Sequence, residues 1–268
     1  YLQRMATLFA LLAVAAYLFS AVSVTGRFFH NQGPNRMLSL SIAALAVVFH
    51  SFYLGDAILA AQAGQNMSIT NVLSLVAWLI TLSMLVSSSL LPNTILLPVV
   101  FSFSAFTVLA SMFVPVSHIM HIDMRPGLVI HITLSLFAYG ALVIGFLYAL
   151  QMSYITHQLK HKGAGLLHSS LPPLMLVESI LFKLILLGTI LLVIAQLSGF
   201  IFLDNMFGRG YIHKTVLSIA GLIVFIVLLV GQKLWGWRGK QVISLTVVGV
   251  VLLSLAYFGS RFVSEILL

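Results

Sequence analysis

Long apolar runs recur along the whole chain, and they decide what it can fold into. Eight stand out, at about 5–24, 37–54, 69–90, 94–114, 128–152, 174–200, 211–231 and 242–262. At about 1.5 Å per residue a helix of this length crosses roughly 30 Å of hydrocarbon. Charged residues make up 7% of the chain against 61% apolar, too few to cover the surface of a water-soluble domain this size. The expected fold is therefore all-α, a polytopic membrane bundle of about eight transmembrane helices, with residues 1–268 as a single integral membrane domain. The first run lacks a cleavage pattern followed by a soluble domain, so it reads as a helix that stays. Pro98 falls inside or at the start of the fourth helix, and Pro115 stops it. The chain has no cysteine, which excludes disulfides, thiolate chemistry and iron–sulfur ligation.

The net charge of +8 gives no case for nucleic acid, because it sits mostly in turns. An even helix count puts both termini on one side. The links after helices 1, 3, 5 and 7 carry Arg27, Arg36, Lys160, Lys162, Lys233, Arg238 and Lys240 with no acid. The opposite face holds Arg4, Arg125, Arg209, Lys214 and Arg261, diluted by Asp56, Asp123, Asp204 and Glu265. The positive-inside rule makes the first face cytoplasmic and puts both termini on the outer, periplasmic side.

This orientation sorts the nine histidines. His30, His157, His161 and His168 fall in wet cytoplasmic links, where a solvated side chain is the ordinary reading. His118 and His121 lie in the outer loop before helix 5, whose prolines argue against a helix there. His50, about one turn inside the end of helix 2, His131, one turn into helix 5, and His213, at the start of helix 7, share a depth beneath the outer surface. Facing helices can present imidazoles to one centre as axial or metal ligands. Each can equally be an interfacial histidine bonded to backbone or water. His131 is the strongest, being the most firmly inside an apolar helix.

Other polar groups are less specific. Glu178 and Lys183 are five apart and make no helical pair. Arg125 could serve an anionic group such as a haem propionate. Trp78, Tyr139, Tyr148, Tyr257 and Phe258 could line a flat apolar ligand, but core or belt positions explain most of them, and Trp235 and Trp237 read as interface anchors. No Walker loop, dinucleotide fingerprint, zincin motif or nucleophile elbow is present.

Several stretches together carry a resemblance: NVLSLVAWLI at Asn71 to Ile80, the helix opening at His131 with Tyr139 behind it, and LPPLMLVESILFKLILLGTILL from Leu171. Helix 7 and GWRGKQVISLTVVGVVLLSLAYFGSRF complete the set. In this order and spacing they resemble the cytochrome c assembly membrane family, the haem-handling proteins of the CcsA type, and most nearly its compact YpjD/HemX-like inner-membrane branch. The resemblance implies a multi-pass protein of the bacterial inner (plasma) membrane that binds haem b non-covalently. It implies that His131 is an outer-face haem ligand and that His50 belongs to a membrane-buried site. The family's tryptophan-rich outer segment is reduced here to FGRGYIHKT, without a Trp-Trp-Asp signature, and no histidine follows the last helix. His213 is the candidate replacement ligand.

The leading reading is a haem-binding or haem-handling membrane protein related to cytochrome c maturation or haem homeostasis. Its candidate cofactor-binding residues are His131, His213, His50 and Arg125, with His131 and His213 as candidate axial ligands to the haem iron. No catalysis is expected. Its partners are membrane lipids, with a membrane protein partner or homo-oligomer possible and no nucleic acid. The alternative is a scaffold or accessory subunit of a transporter or haem enzyme that keeps the fold without haem. A transporter is disfavoured, since no inverted repeat and no charged relay beyond Glu178 and Lys183 is evident. With the basic links in the cytoplasm, a reporter active only in the periplasm should work when fused after Leu268 and be silent when inserted at Gly163. The reverse pattern would move His131 and His213 to the cytoplasmic face.

Overall fold

A computed structural model describes residues 2–60, 64–114, 116–161 and 171–268. Pro115, Lys162, Gly163 and His168 lie outside the described residues. The protein is an all-α polytopic membrane protein, with eight main helices among the described residues. They are α1 (Leu2–Arg27), α2 (Arg36–Leu59), α3 (Ile69–Ser87), α4 (Leu97–Phe113), α5 (Pro126–Lys160), α6 (Leu174–Phe202), α7 (Ile212–Trp235) and α8 (Lys240–Ser254). α8 continues through a π-helical segment (Leu255–Gly259), one α turn (Ser260–Phe262) and a second π-helical segment (Val263–Leu267). Among the described residues seven helices are long and apolar enough to span a membrane, and α4 is a shorter apolar helix of 17 residues.

All eight expected helices form, and the differences lie at their ends. α2 runs to Leu59 and α5 to Lys160, so His157 is helical rather than part of a link. Hydropathy falls at the edge of the hydrocarbon, but a helix need not stop there. Pro98 occupies the first turn of α4, where the missing N–H costs nothing because that turn's amides have no helical acceptors. Elsewhere polar residues hold the boundaries. Asn35 accepts from the Leu38 amide at 3.2 Å, and Ser68 accepts from that of Asn71 at 3.4 Å.

The chain divides into two compact units, residues 1–121 with 158–172, and residues 122–157 with 173–268. In the first, α1 to α4 are joined by hydroxyls, which in a lipid environment must find partners within the protein. Ser39 Oγ donates to Ser23 Oγ at 3.1 Å, and Ser20 donates to the Ser39 carbonyl at 3.1 Å, tying α1 to α2. Thr81 and Ser104 share a 2.6 Å bond between α3 and α4, Tyr53 meets Ser111 at 2.8 Å, and Trp78 Nε1 donates to Ser51 at 2.8 Å. Arg36 donates to the Ser88 carbonyl. The loop containing His118 and His121 is extended, as its prolines suggested. β1 (Gln65–Asn66) and β2 (Ile119–Met120) form a short antiparallel ribbon, with Gln65 opposite Met120.

The second unit packs by close helix approach. A Cβ at Gly188 on α6 would stand 2.6 Å from Leu142 Cγ and 3.3 Å from the Leu142 amide nitrogen on α5. At Gly249 on α8 it would stand 2.6 Å from the Phe225 ring of α7. Away from these contacts Glu178 on α6 pairs with Arg238, just past α7, at 2.8 Å. Trp235 and Trp237 stack with centroids 5.7 Å apart. Gly188→Ala should destabilise the protein by about 1–3 kcal/mol through overpacking, read as a lower unfolding midpoint in detergent. Gly26→Ala, where nothing lies within 4 Å, should leave the midpoint unchanged or raise it slightly.

Candidate functional site

His131 is the anchor of the second unit's polar end. α5 opens with Pro126, and the Arg125 carbonyl accepts from the amides of Leu128 and Val129. That start puts His131 five residues in, about 7.5 Å along the axis. Its ring crosses to α6. Nδ1 lies 3.0 Å from the Ala195 carbonyl oxygen and 3.1 Å from Ser198 Oγ. The Ser198 hydroxyl already donates to the Ala195 carbonyl at 2.7 Å. A carbonyl can only accept, and the serine proton is committed, so Nδ1 carries the hydrogen in this arrangement. In the neutral ring Nε2 is then an unprotonated donor atom, the state a metal-ligating imidazole adopts when its other nitrogen bonds a carbonyl.

Gly199, the next residue of α6, lets this ring come close. A Cβ there would lie 2.9 Å from His131 Cε1 and 3.1 Å from both Sδ and Cε of Met206. Met206 belongs to the α6–α7 loop, whose path is fixed locally. Asn205 adopts φ 61°, a left-handed conformation that asparagine tolerates better than most side chains. The Gly208 amide donates to the Asn205 carbonyl at 2.8 Å. Thr215 on α7 donates through Oγ1 to the Met206 carbonyl at 2.7 Å.

An open cavity of about 460 Å³ is lined by Phe200, Leu203, Asn205, Met206, Phe207 and Gly208. That size suits a small-molecule or cofactor site. The Phe200 and Phe207 rings stack at 5.8 Å with 29° between their planes. Deeper in the unit, Tyr139 bonds Ser254 Oγ at 2.7 Å and meets Tyr257 and Phe258 edge-on at 5.5 and 5.7 Å. Tyr139 is thus placed by a hydroxyl and two rings rather than by an open ligand surface.

The other candidates separate. Arg125 and His213 lie at this same end of the second unit, both exposed, one just before α5 and one in the first turn of α7. His50 belongs to the first unit and is wholly buried. Because α2 extends to Leu59, His50 stands nine residues from its end, about 13 Å, instead of one turn. Both of its nitrogens are engaged, Nδ1 with the Tyr17 hydroxyl at 3.0 Å and Nε2 with Ser74 Oγ at 2.8 Å. Both partners are hydroxyls, so either tautomer is satisfied and neither nitrogen is spare. Among the described residues no group of three or more His, Asp or Glu side chains gathers as a metal site.

A family model for cytochrome C assembly protein matches residues 38–268. The chain is 41% identical to inner membrane protein YpjD of Escherichia coli K12 over 261 residues, 97% of this chain and 98% of that protein. The YpjD of Escherichia coli O157:H7 is equally similar. An uncharacterized 28.8 kDa protein from Azospirillum brasilense is 32% identical over 149 residues, 53% of this chain and 54% of that protein. No solved structure matches the chain. The chain belongs to the cytochrome c assembly protein family and is a multi-pass inner-membrane protein.

The Tyr17–His50–Ser74 bonding gives His50 a structural role. His50→Ala would leave two buried hydroxyls without their partner, at about 1–3 kcal/mol each. Its unfolding midpoint in detergent should fall clearly, and Tyr17→Phe should cost less. An unchanged midpoint for His50→Ala would remove that role.

Proposed function

We propose that the chain binds haem b non-covalently at the Arg125–His131–Met206 end of its second unit, as a haem-handling protein of cytochrome c maturation or haem homeostasis. His131 would hold the haem iron through Nε2 in this reading. The observation that carries it is the bond from Nδ1–H to the Ala195 carbonyl, which leaves Nε2 unprotonated and orients the ring. The surroundings fit such a group. The neighbouring cavity is lined by Phe200, Leu203, Met206 and Phe207 together with the polar Asn205, its two phenyl rings are stacked, and the exposed Arg125 guanidinium at the same end suits a propionate. Bound haem would supply an iron that cycles between ferrous and ferric states. The protein's own part is to hold, orient and shield it, with no covalent step on its side chains. The short α6–α7 connection, where the family's tryptophan-rich segment would lie, favours storage or sensing over delivery to an apocytochrome.

Purified protein in detergent should develop a Soret band on haem titration, with a low-spin spectrum. His131→Ala should lose the low-spin species while the protein stays monodisperse. Absence of any Soret band after haem supplementation would favour a scaffold or accessory subunit instead. Retention of the wild-type spectrum by His131→Ala would move the site elsewhere.

A further inference from the structure

Two arginines flank the link between α1 and α2, and the protein answers only one of them. Arg36 donates to the Ser88 carbonyl. Arg27, the last residue of α1, is exposed and has neither a hydrogen bond nor an ion pair among the described residues. It lines an open cavity of about 330 Å³, together with Phe19, Val22 and Ser23 of α1 and Asn35 and Leu38 at the start of α2. We infer that this cavity seats one anionic phospholipid, with its phosphate on Arg27 and one acyl chain along Phe19, Val22 and Leu38. The site lies in the first unit and is independent of the haem reading.

An arginine at the end of a membrane helix has an ordinary explanation, since it anchors the helix at the headgroups without choosing a lipid. Three features go further. The cavity is polar at its rim and apolar below, the order a lipid needs. Phe19, Ser23 and Arg27 follow at four-residue spacing on one face of α1, so Phe19 stands about 12 Å deeper than Arg27. Phe19 and Val22 are 54% and 71% exposed, so the apolar end opens onto hydrocarbon, which a free phosphate would not use. Donors are also in place. Ser23 Oγ accepts from Ser39 Oγ and keeps its own proton to give, about 6 Å below Arg27, where an ester carbonyl would lie. The Asn35 side-chain oxygen is taken by the Leu38 amide, which leaves Nδ2 as the part that can donate. Finally, no acid competes for the charge. The one Asp or Glu side chain of the first unit, Asp56, lies near the far end of α2. A basic pocket between membrane helices is suited to an anionic headgroup. Its walls are set by the Ser20 and Ser23 bonds to Ser39 and by a turn at Gly33, where φ is 66°.

The test is native mass spectrometry of the full chain, delipidated in detergent and titrated with phosphatidylglycerol or with phosphatidylcholine of the same acyl length. Phosphatidylglycerol should bind at one per chain. Phosphatidylcholine, whose choline cancels the phosphate charge, should bind more weakly. Arg27→Gln should weaken phosphatidylglycerol about tenfold. Val22→Trp, which fills the cavity and keeps the charge, should weaken it too. Both variants change exposed side chains and should stay monodisperse. Lys233→Gln, at an exposed cation ending α7, should bind like wild type. An excess of glycerol 3-phosphate, the headgroup without its chains, should not displace the lipid. Unchanged binding in Arg27→Gln, or equal losses in Arg27→Gln and Lys233→Gln, would overturn the site and leave only general surface charge. Equal retention of the two lipids would overturn the anionic preference. Displacement by glycerol 3-phosphate would overturn the lipid in favour of a soluble phosphate.

Discussion

In hydrocarbon a polar side chain has no water to turn to, so its chemistry is set by whichever protein group answers it. The rest of the structure is arranged around that constraint. His50 and His131 are the same residue type in helices of similar character, yet their partners give them opposite roles. Two hydroxyls, from Tyr17 and Ser74, occupy both nitrogens of His50 and turn it into a link between helices. One backbone carbonyl takes a single proton from His131 and commits the tautomer. The difference lies in the acceptor, because a hydroxyl can reverse its role and a carbonyl cannot.

The same constraint shapes the packing. Apolar burial gives little preference for one helix neighbour over another when lipid tails are equally apolar. The first unit answers with hydroxyl bonds such as Thr81–Ser104, and the second answers with glycines such as Gly188 and Gly249 that bring helices into direct contact. Gly199 follows the second pattern, but its neighbours are a ring nitrogen heterocycle and a thioether rather than leucines. Close approach there seats the His131 ring against α6, where Ala195 and Ser198 meet its Nδ1.

Much of this was legible in the sequence, and what was not has a physical reason. Hydropathy located all eight helices, because apolar runs of this length have few other places to go. It misjudged where α2 and α5 end, since segments such as Ser153 to Lys160 turn polar while remaining good helix. The π-helical turns after Ser254 carry no sequence signal. His131 was legible as an ionisable group inside an apolar helix. Its partners were not, because the Ala195 carbonyl is 64 residues away and a backbone oxygen has no identity in a sequence. Met206 looked like any loop methionine, and Glu178 was weighed against Lys183, on its own helix, when its partner is Arg238.

A neutral imidazole ligand also bears on which oxidation state a haem held by His131 would favour. Histidine with an unprotonated Nε2 brings no charge, and the lining residues Phe200, Leu203 and Phe207 bring none either. The extra positive charge of a ferric centre would then need an answer from groups other than the ligand, since an uncompensated charge is costly away from water. Asp204 is the carboxylate that the loop offers, between the lining residues Leu203 and Asn205. Glu265 is engaged with Arg261 at 3.1 Å, and Glu178 with Arg238. Arg209 follows the lining residue Gly208 in the same loop, and the exposed Arg125 stands just before α5. The loop's own opposite charges, Asp204 and Arg209, and not the neutral imidazole alone, would then bear on which oxidation state is held.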